Sequence, residues 1–364
     1  MNRGDWSEFY AFLKVLSDRK LIAADHKLNP IHGKSYGVNK ILRNDSIAAR
    51  TYDVTNDSSI SIQHQELATD ADLVTSYIDY KVISDSVPNV FAMIKKGEGR
   101  AFDLKEVKKI ADMLDYGKIK ASSQHKGDMT VVIHDYVTNH DNVVDFSVKS
   151  YVGGKPTLLN AGKKSTNFLF EVVGSTVDID KINNIEGSSK VLKRVKAIND
   201  SGANLLFHSM LSEKFQKNLR KVDSLMPIFI SEYIRLYYST KARSLQALTN
   251  EVINSERIKT LLDVPFTFDD MKYKMKQLLL NVALGMVPQT NWDGFIKADG
   301  GYIIVKEDGD IVCFHIYNIS QLGEYLFLNT SFDTPSTSPK KFDHAYLFKE
   351  KGKTFMKLNF QIRF

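Results

Sequence analysis

The sequence predicts a mixed α/β (α+β) fold, and three observations carry that expectation. Residues 127–149, G-D-M-T-V-V-I-H-D-Y-V-T-N-H-D-N-V-V-D-F-S-V-K, read as two strands around a polar turn. Apolar residues recur at helical spacing near the N-terminus and through the middle of the chain. The last third becomes β-rich after a single helix. With 364 residues the chain can bury a large core, in one elaborated domain or in two.

In chain order, a first helix is expected where Trp6, Phe9, Leu13 and Leu16 recur, capped by Asp5 or Ser7. Glu8 falls in its first turn. The helix dipole alone accounts for a carboxylate there, and a metal-ligand role is the minority reading. Strand-like pieces over 36–42, 49–54 and 59–63 follow, separated by Asn, Asp and Ser turns. Helices are expected near 70–82 and 104–116, the second ending at Gly117, and a short strand over 119–122 leads into the hairpin. Beyond Gly153-Gly154 and Pro156, residues 168–173 read as a buried strand containing Glu171. A long helical stretch is expected over 204–255, interrupted around Pro227. Its Lys and Arg residues, with Tyr233, Tyr237 and Tyr238 among them, suit either a backbone-binding groove or a solvated helix face with aromatics in the core. After the helix at 269–285, strands at 302–305 and 311–317 flank Asp308-Gly309, a strong hairpin signal. Strands at 342–349 and 354–360 flank E-K-G-K in the same manner.

The central hairpin is where chemistry converges. With a turn centred on Asn139 and His140, Ser147 should lie near Val132 and Lys149 near Thr130. Alternation then puts Asp128, Asp145, Ser147 and Lys149 on one face, and Asp135 on the other. An acid and a lysine on one face suit metal-dependent phosphodiester hydrolysis, the acid holding a divalent cation and the lysine polarising water. From spacing alone, a surface hairpin with solvated Asp and Lys is the simpler reading.

Composition narrows the class. A hydrophobic share of 43% with 25% charged residues fits an ordered soluble chain rather than a disordered one. The single cysteine, Cys313, leaves no disulfide framework or cysteine-rich zinc site and suits a reducing cytoplasm. The start M-N-R-G-D-W-S-E has no apolar run typical of a secretory signal, and the most apolar stretch, 278–287, is too short to span a membrane. A net charge of +6 favours a polyanionic partner. The motifs G-x-x-x-x-G-K-[ST], H-E-x-x-H and G-x-S-x-G do not occur, which argues against nucleotide triphosphate use, zinc peptidases and serine hydrolases.

Longer blocks add a resemblance. G-D-W-S-E-F-Y-A-F-L-K-V-L, D-F-S-V-K-S-Y-V-G-G-K-P-T-L-L-N-A-G-K-K-S-T-N-F, L-L-L-N-V-A-L-G-M-V-P-Q-T-N-W-D-G, G-G-Y-I-I-V-K-E-D-G-D-I-V-C-F-H-I-Y-N and K-L-N-F-Q-I-R-F together resemble type II restriction endonucleases of the HpaII family over essentially the whole chain. The resemblance implies a PD-(D/E)xK nuclease core with N- and C-terminal elaborations, cutting double-stranded DNA with Mg2+ at a short palindrome, CCGG being the family's namesake site. It further implies a partner DNA methyltransferase and no membrane, with a homodimer left as an option. The expected division is 1–100, DNA-contacting, and 101–364, a nuclease core around the hairpin at 127–150. Carried over, Asp128 takes the motif's first aspartate and Lys149 its lysine. Ser147 stands where the motif has Asp or Glu, so a second metal-binding carboxylate must come from Asp145, Glu171 or Glu8. That departure also keeps open an inactive or non-specific DNA-binding protein on the same fold.

Overall fold

Helix α1 (Arg3–Asp18) starts earlier than the spacing suggests, because Asn2 rather than Asp5 or Ser7 is its cap. The Asn2 side chain accepts the Asp5 backbone N–H and the Asp5 carboxylate accepts that of Asn2, a reciprocal capping box. Trp6, Phe9, Leu13 and Leu16 are all fully buried, as their spacing predicts. The computed structural model describes residues 1–68, 72–99, 101–117, 119, 127–135 and 139–364.

Strands β1 (Lys20–Ala24), β2 (Pro30–Asn44), β3 (Ala48–Asp53), β4 (Ser59–Glu66) and β5 (Val74–Asp79) follow, then α2 (Tyr80–Lys96) and α3 (Lys105–Met113). Strand β5 replaces most of the helix expected at 70–82. Val74, Thr75, Tyr77 and Ile78 are β-branched or aromatic, and Asp79 caps α2 instead of lying inside a helix. The hairpin is β6 (Met129–Asp135) and β7 (His140–Ser150). Of the short strand expected at 119–122, all but Ile119 lies outside the described residues. Then come β8 (Thr157–Leu159), β9 (Asn167–Val173), α4 (Ile179–Asn183), α5 (Lys190–Asp200) and β10 (Asn204–Met210). Strand β10 corrects the helix expected to begin at Asn204: buried Leu205 beside exposed Leu206 is a two-residue period, and the segment pairs with β9. Helices α6 (Glu213–Val222), α7 (Met226–Ser239), α8 (Leu245–Asn254), α9 (Glu256–Lys259) and α10 (Phe268–Leu284) complete the middle. Pro227 begins α7 rather than interrupting it. The last elements are β11 (Gly301–Val305), β12 (Ile311–His315), α11 (Ile319–Asn329), β13 (Ser331–Phe332), β14 (Leu347–Glu350), β15 (Lys353–Asn359) and β16 (Ile362–Arg363).

The chain forms two compact units, 1–156 with 296–325, and 157–295 with 326–364. This division crosses the 101–364 region expected as one core, and it joins residues 1–100 to the hairpin. The first unit holds a nine-stranded sheet in the order β1-β12-β11-β7-β6-β2-β3-β4-β5. Strand β2 is long enough to pair with β1 through Pro30–Gly37 and with β6 through Gly37–Leu42, so six strands close into a ring and β3–β5 extend from it. Helix α1 shares one core with Phe146, Val148, Ile303, Val305 and Cys313, the alternate residues of β7, β11 and β12. The other face of β7 carries Ser147 and Lys149.

The second unit has a four-stranded sheet, β10-β9-β15-β14, and a three-stranded one, β13-β16-β8. Tyr233, Tyr237 and Tyr238 are buried in it. Arg194 is wholly buried too, donating to the carbonyls of Asn183, Ile185 and Ala345. For these tyrosines the core alternative holds over the groove.

Candidate active site

The hairpin register differs from the expected one by four residues. Thr130 pairs with Asp145 and Val132 with Val143, while the Asp128 N–H donates to the Phe146 carbonyl at 2.8 Å just beyond the ladder. The midpoint of this pairing falls between residues 137 and 138, outside the described residues, rather than at Asn139 and His140. A shift of four is even, so the faces are unchanged. It brings Ser147 opposite Asp128 and moves Lys149 to the edge beyond it.

One carboxylate oxygen organises the cluster. Asp128 Oδ2 accepts the Val148 N–H at 2.7 Å and the Ser147 hydroxyl at 3.0 Å, with Lys149 Nζ at 3.7 Å. The ammonium donates to Ser147 Oγ at 2.9 Å and to the Val148 carbonyl at 3.0 Å. Asp128 and Lys149 keep 18% and 24% of their side-chain surface exposed, enough for a ligand to reach both. Among the described residues, Asp128 Oδ1 accepts no hydrogen bond.

Glu8, on α1, is electrostatically tied to this pair. Burial first, then the Asp128 charge, push its carboxyl from an ordinary 4.5 up to about 8, against the pull of Lys149 and Arg43. Asp145 shares the Asp128 face but lies two pairs along the ladder, opposite Thr130. It accepts the Thr130 hydroxyl at 2.5 Å, and its N–H donates to Asp299 at 2.7 Å. Its side chain covers Gly127, where a Cβ would lie 2.9 Å from the Asp145 Cβ, so that position needs glycine. Glu171 is on β9 in the second unit, ion-paired with Lys353 at 3.0 Å and near His208 at 3.9 Å. Asp135, seven residues from Asp128, is on the opposite face and accepts the Tyr317 hydroxyl at 3.2 Å.

Two residues of the cluster escaped sequence reasoning. Tyr302, on β11, is the parallel-strand neighbour of Ser147 and lies beneath Lys149. Arg43, on β2, faces Glu8 electrostatically and stacks on Tyr116 at 3.7 Å. The only signal for Tyr302 was the G-G-Y-I-I-V strand itself. Nothing in spacing pairs it with a hairpin so distant in sequence.

The proton affinity that the Asp128 charge adds to Glu8 is what a bound cation would relieve. Among the described residues no group of three or more His, Cys, Asp or Glu converges on a metal position. A hard divalent ion that keeps several waters needs only one or two carboxylates rather than an all-protein cage, and Asp128 and Glu8 could supply them.

The Glu8 shift has a testable sign. Between pH 4.5 and 8 the folded chain keeps a proton on Glu8 that the unfolded chain has released, so stability falls as pH rises through that window. Glu8→Gln should melt a few degrees above wild type at pH 8 in chelator, and the gap should close towards pH 5. Thermal melts at both values check this, and identical pH slopes in the two proteins refute it.

Comparison with known proteins gives the context for this cluster. A family model described as HpaII restriction endonuclease matches residues 2–364. The type II restriction enzyme HpaII of Haemophilus parainfluenzae is 34% identical over 365 residues, covering 100% of this chain and 98% of that protein. No solved structure gives a significant match. The class is thus a type II restriction endonuclease, a site-specific enzyme that acts on double-stranded DNA and generally needs a divalent metal. The chain belongs to the HpaII restriction endonuclease family. Among the described residues no helix is long and apolar enough to cross a membrane.

Proposed function

We propose that this enzyme cuts double-stranded DNA with Mg2+ at a short CCGG-like palindrome, using a PD-(D/E)xK-type core in which Ser147 replaces the motif's second acid. The observation that carries the reading is the Asp128 carboxylate, held at a strand edge by the Val148 N–H and the Ser147 hydroxyl with Lys149 beside it. Asp128 and Glu8 would hold the ion, which when bound neutralises the phosphodiester and lowers the pKa of a coordinated water. The preference for Glu8 over Asp145 and Glu171 rests on its electrostatic coupling to Asp128.

Lys149 donates to the attacking water or to a phosphate oxygen, keeping nucleophile and phosphorus aligned for in-line displacement. Ser147 has one proton and two lone pairs. Its proton goes to Asp128 and one lone pair receives Lys149, so it orients these two groups rather than binding an ion. A palindromic target matches a homodimer, each copy cutting one strand. A cognate methyltransferase would protect host DNA in the cytoplasm, a compartment that suits the single buried thiol, Cys313.

Digestion of unmethylated plasmid DNA with Mg2+, followed by mapping of the ends, tests this reading. Cleavage is expected at one CG-containing palindrome, and cytosine methylation there should block it, since the methyl group occupies the major-groove edge that is read. Random ends, or an AT-only site, would overturn the specificity. Tight binding without any cutting would favour a DNA-binding protein on a nuclease-like fold.

A further inference from the structure

We propose that Tyr302 is a positioning residue for cleavage: its phenol completes the hydrogen bonding of Ser147 and its ring supports the Lys149 ammonium. This rests on the active-site reading above and deepens it. Register places Tyr302 directly beside Ser147 on the parallel strand, and the side chain is 1% exposed. Lys149 Nζ lies 5.5 Å from the ring centroid, within cation–π range. Ser147 Oγ gives its own proton to Asp128 at 3.0 Å and receives Lys149 at 2.9 Å, so in the proposed bond the neighbouring phenol is the donor. With that bond Ser147 Oγ would be saturated, one bond given and two received.

The ring beneath Lys149 is itself well supported. Phe314 is the cross-strand neighbour of Tyr302, and Phe314 stacks on Tyr325 at 5.0 Å. Tyr325 hydrogen-bonds through its hydroxyl to that of Tyr151. Burial and the Asp128 charge raise the Tyr302 phenol, which therefore stays protonated and able to donate across the working pH range. The consequence concerns the serine in the motif. A carboxylate at 147 would hold Lys149 by charge. A serine holds it only by a neutral hydrogen bond, and the tyrosine supplies the missing direction.

The test is a rate cycle over Tyr302→Phe, Ser147→Ala and the double variant, with Lys149→Ala as control. Single-turnover cleavage in Mg2+, DNA affinity in Ca2+ and thermal midpoints are read for each. Tyr302→Phe is expected to cut about tenfold more slowly at unchanged affinity, and to cost nothing further once Ser147 is Ala. In chelator, an amine-acetylating reagent should label Lys149 several-fold faster in Tyr302→Phe than in wild type, a readout independent of cleavage. Should the Phe variant fail to fold, Tyr302→Met fills the volume without a phenol and carries the same comparisons.

An equal rate loss in the wild-type and Ser147→Ala backgrounds, or unchanged rate and labelling, overturns the positioning role. If Lys149→Ala cuts at the wild-type rate, the active-site reading itself has failed. If Lys149→Ala is inactive while Tyr302→Phe is unaffected, only the role of Tyr302 has failed.

Discussion

Asp128→Asn is expected to lower the cleavage rate at least about a thousandfold, roughly 4 kcal/mol of transition-state stabilisation, while the protein stays folded. The amide oxygen can still accept the Val148 N–H and the Ser147 hydroxyl, which Asp128 now accepts at 2.7 and 3.0 Å, so the strand edge keeps its backbone partner. What Asn loses is the charge that attracts Lys149 and repels Glu8. Ala would remove both charge and acceptor and leave the Val148 N–H unpaired, at about 1–3 kcal/mol of stability. The pair of variants separates chemistry from folding: Asn should be dead at near wild-type stability, Ala dead and less stable. Single-turnover rates with thermal melts decide it, and a folded Asn variant that cuts at near wild-type rate would remove Asp128 from the site.

Legibility in the sequence followed the range of the interaction that fixes each feature. Local signals worked well: α1 was readable from four apolar positions, and the turn at Asp308-Gly309 joins β11 to β12 as its residues require, with Gly309 at φ 94°. The grouping of Asp128, Ser147 and Lys149 survived a register error of four residues because side-chain direction depends only on parity. Glu8 could be named as a candidate but not chosen, since its coupling to Asp128 depends on how α1 packs against the sheet. Tyr302 and Arg43 were invisible for a stronger reason. They reach the site on β11 and β2, through pairings that no local pattern encodes. Strands β5 and β10 were read as helix because short runs with scattered polar residues satisfy either period. Pairing with β4 and β9 decides them.

Lys149→Ala should cut at least about a hundredfold more slowly and still bind its target DNA with nearly unchanged affinity. In the proposed mechanism the ammonium serves chemistry rather than general attraction: it touches Ser147 Oγ at 2.9 Å, the Val148 carbonyl at 3.0 Å and Asp128 at 3.7 Å, and lies over the Tyr302 ring. A group held on four sides contributes mainly to a transition state whose charge and geometry it matches. Affinity for DNA, in contrast, is summed over many cations of a chain with 49 Lys and Arg residues, so losing one should reduce the salt slope by at most about one. The variant carries a second signature. Lys149 is one of the charges that pull the Glu8 proton affinity down, so its removal should raise that affinity further and make stability in chelator fall more steeply between neutral and alkaline pH than in wild type. The measurements are a single-turnover rate, a gel-shift affinity in Ca2+ at fixed salt, and melts in chelator at several pH values. Equal losses of rate and affinity would make Lys149 a binding residue. Lost rate with retained affinity and a steeper pH slope would place Lys149, Glu8 and Asp128 in one electrostatic unit, the arrangement on which the proposed mechanism depends.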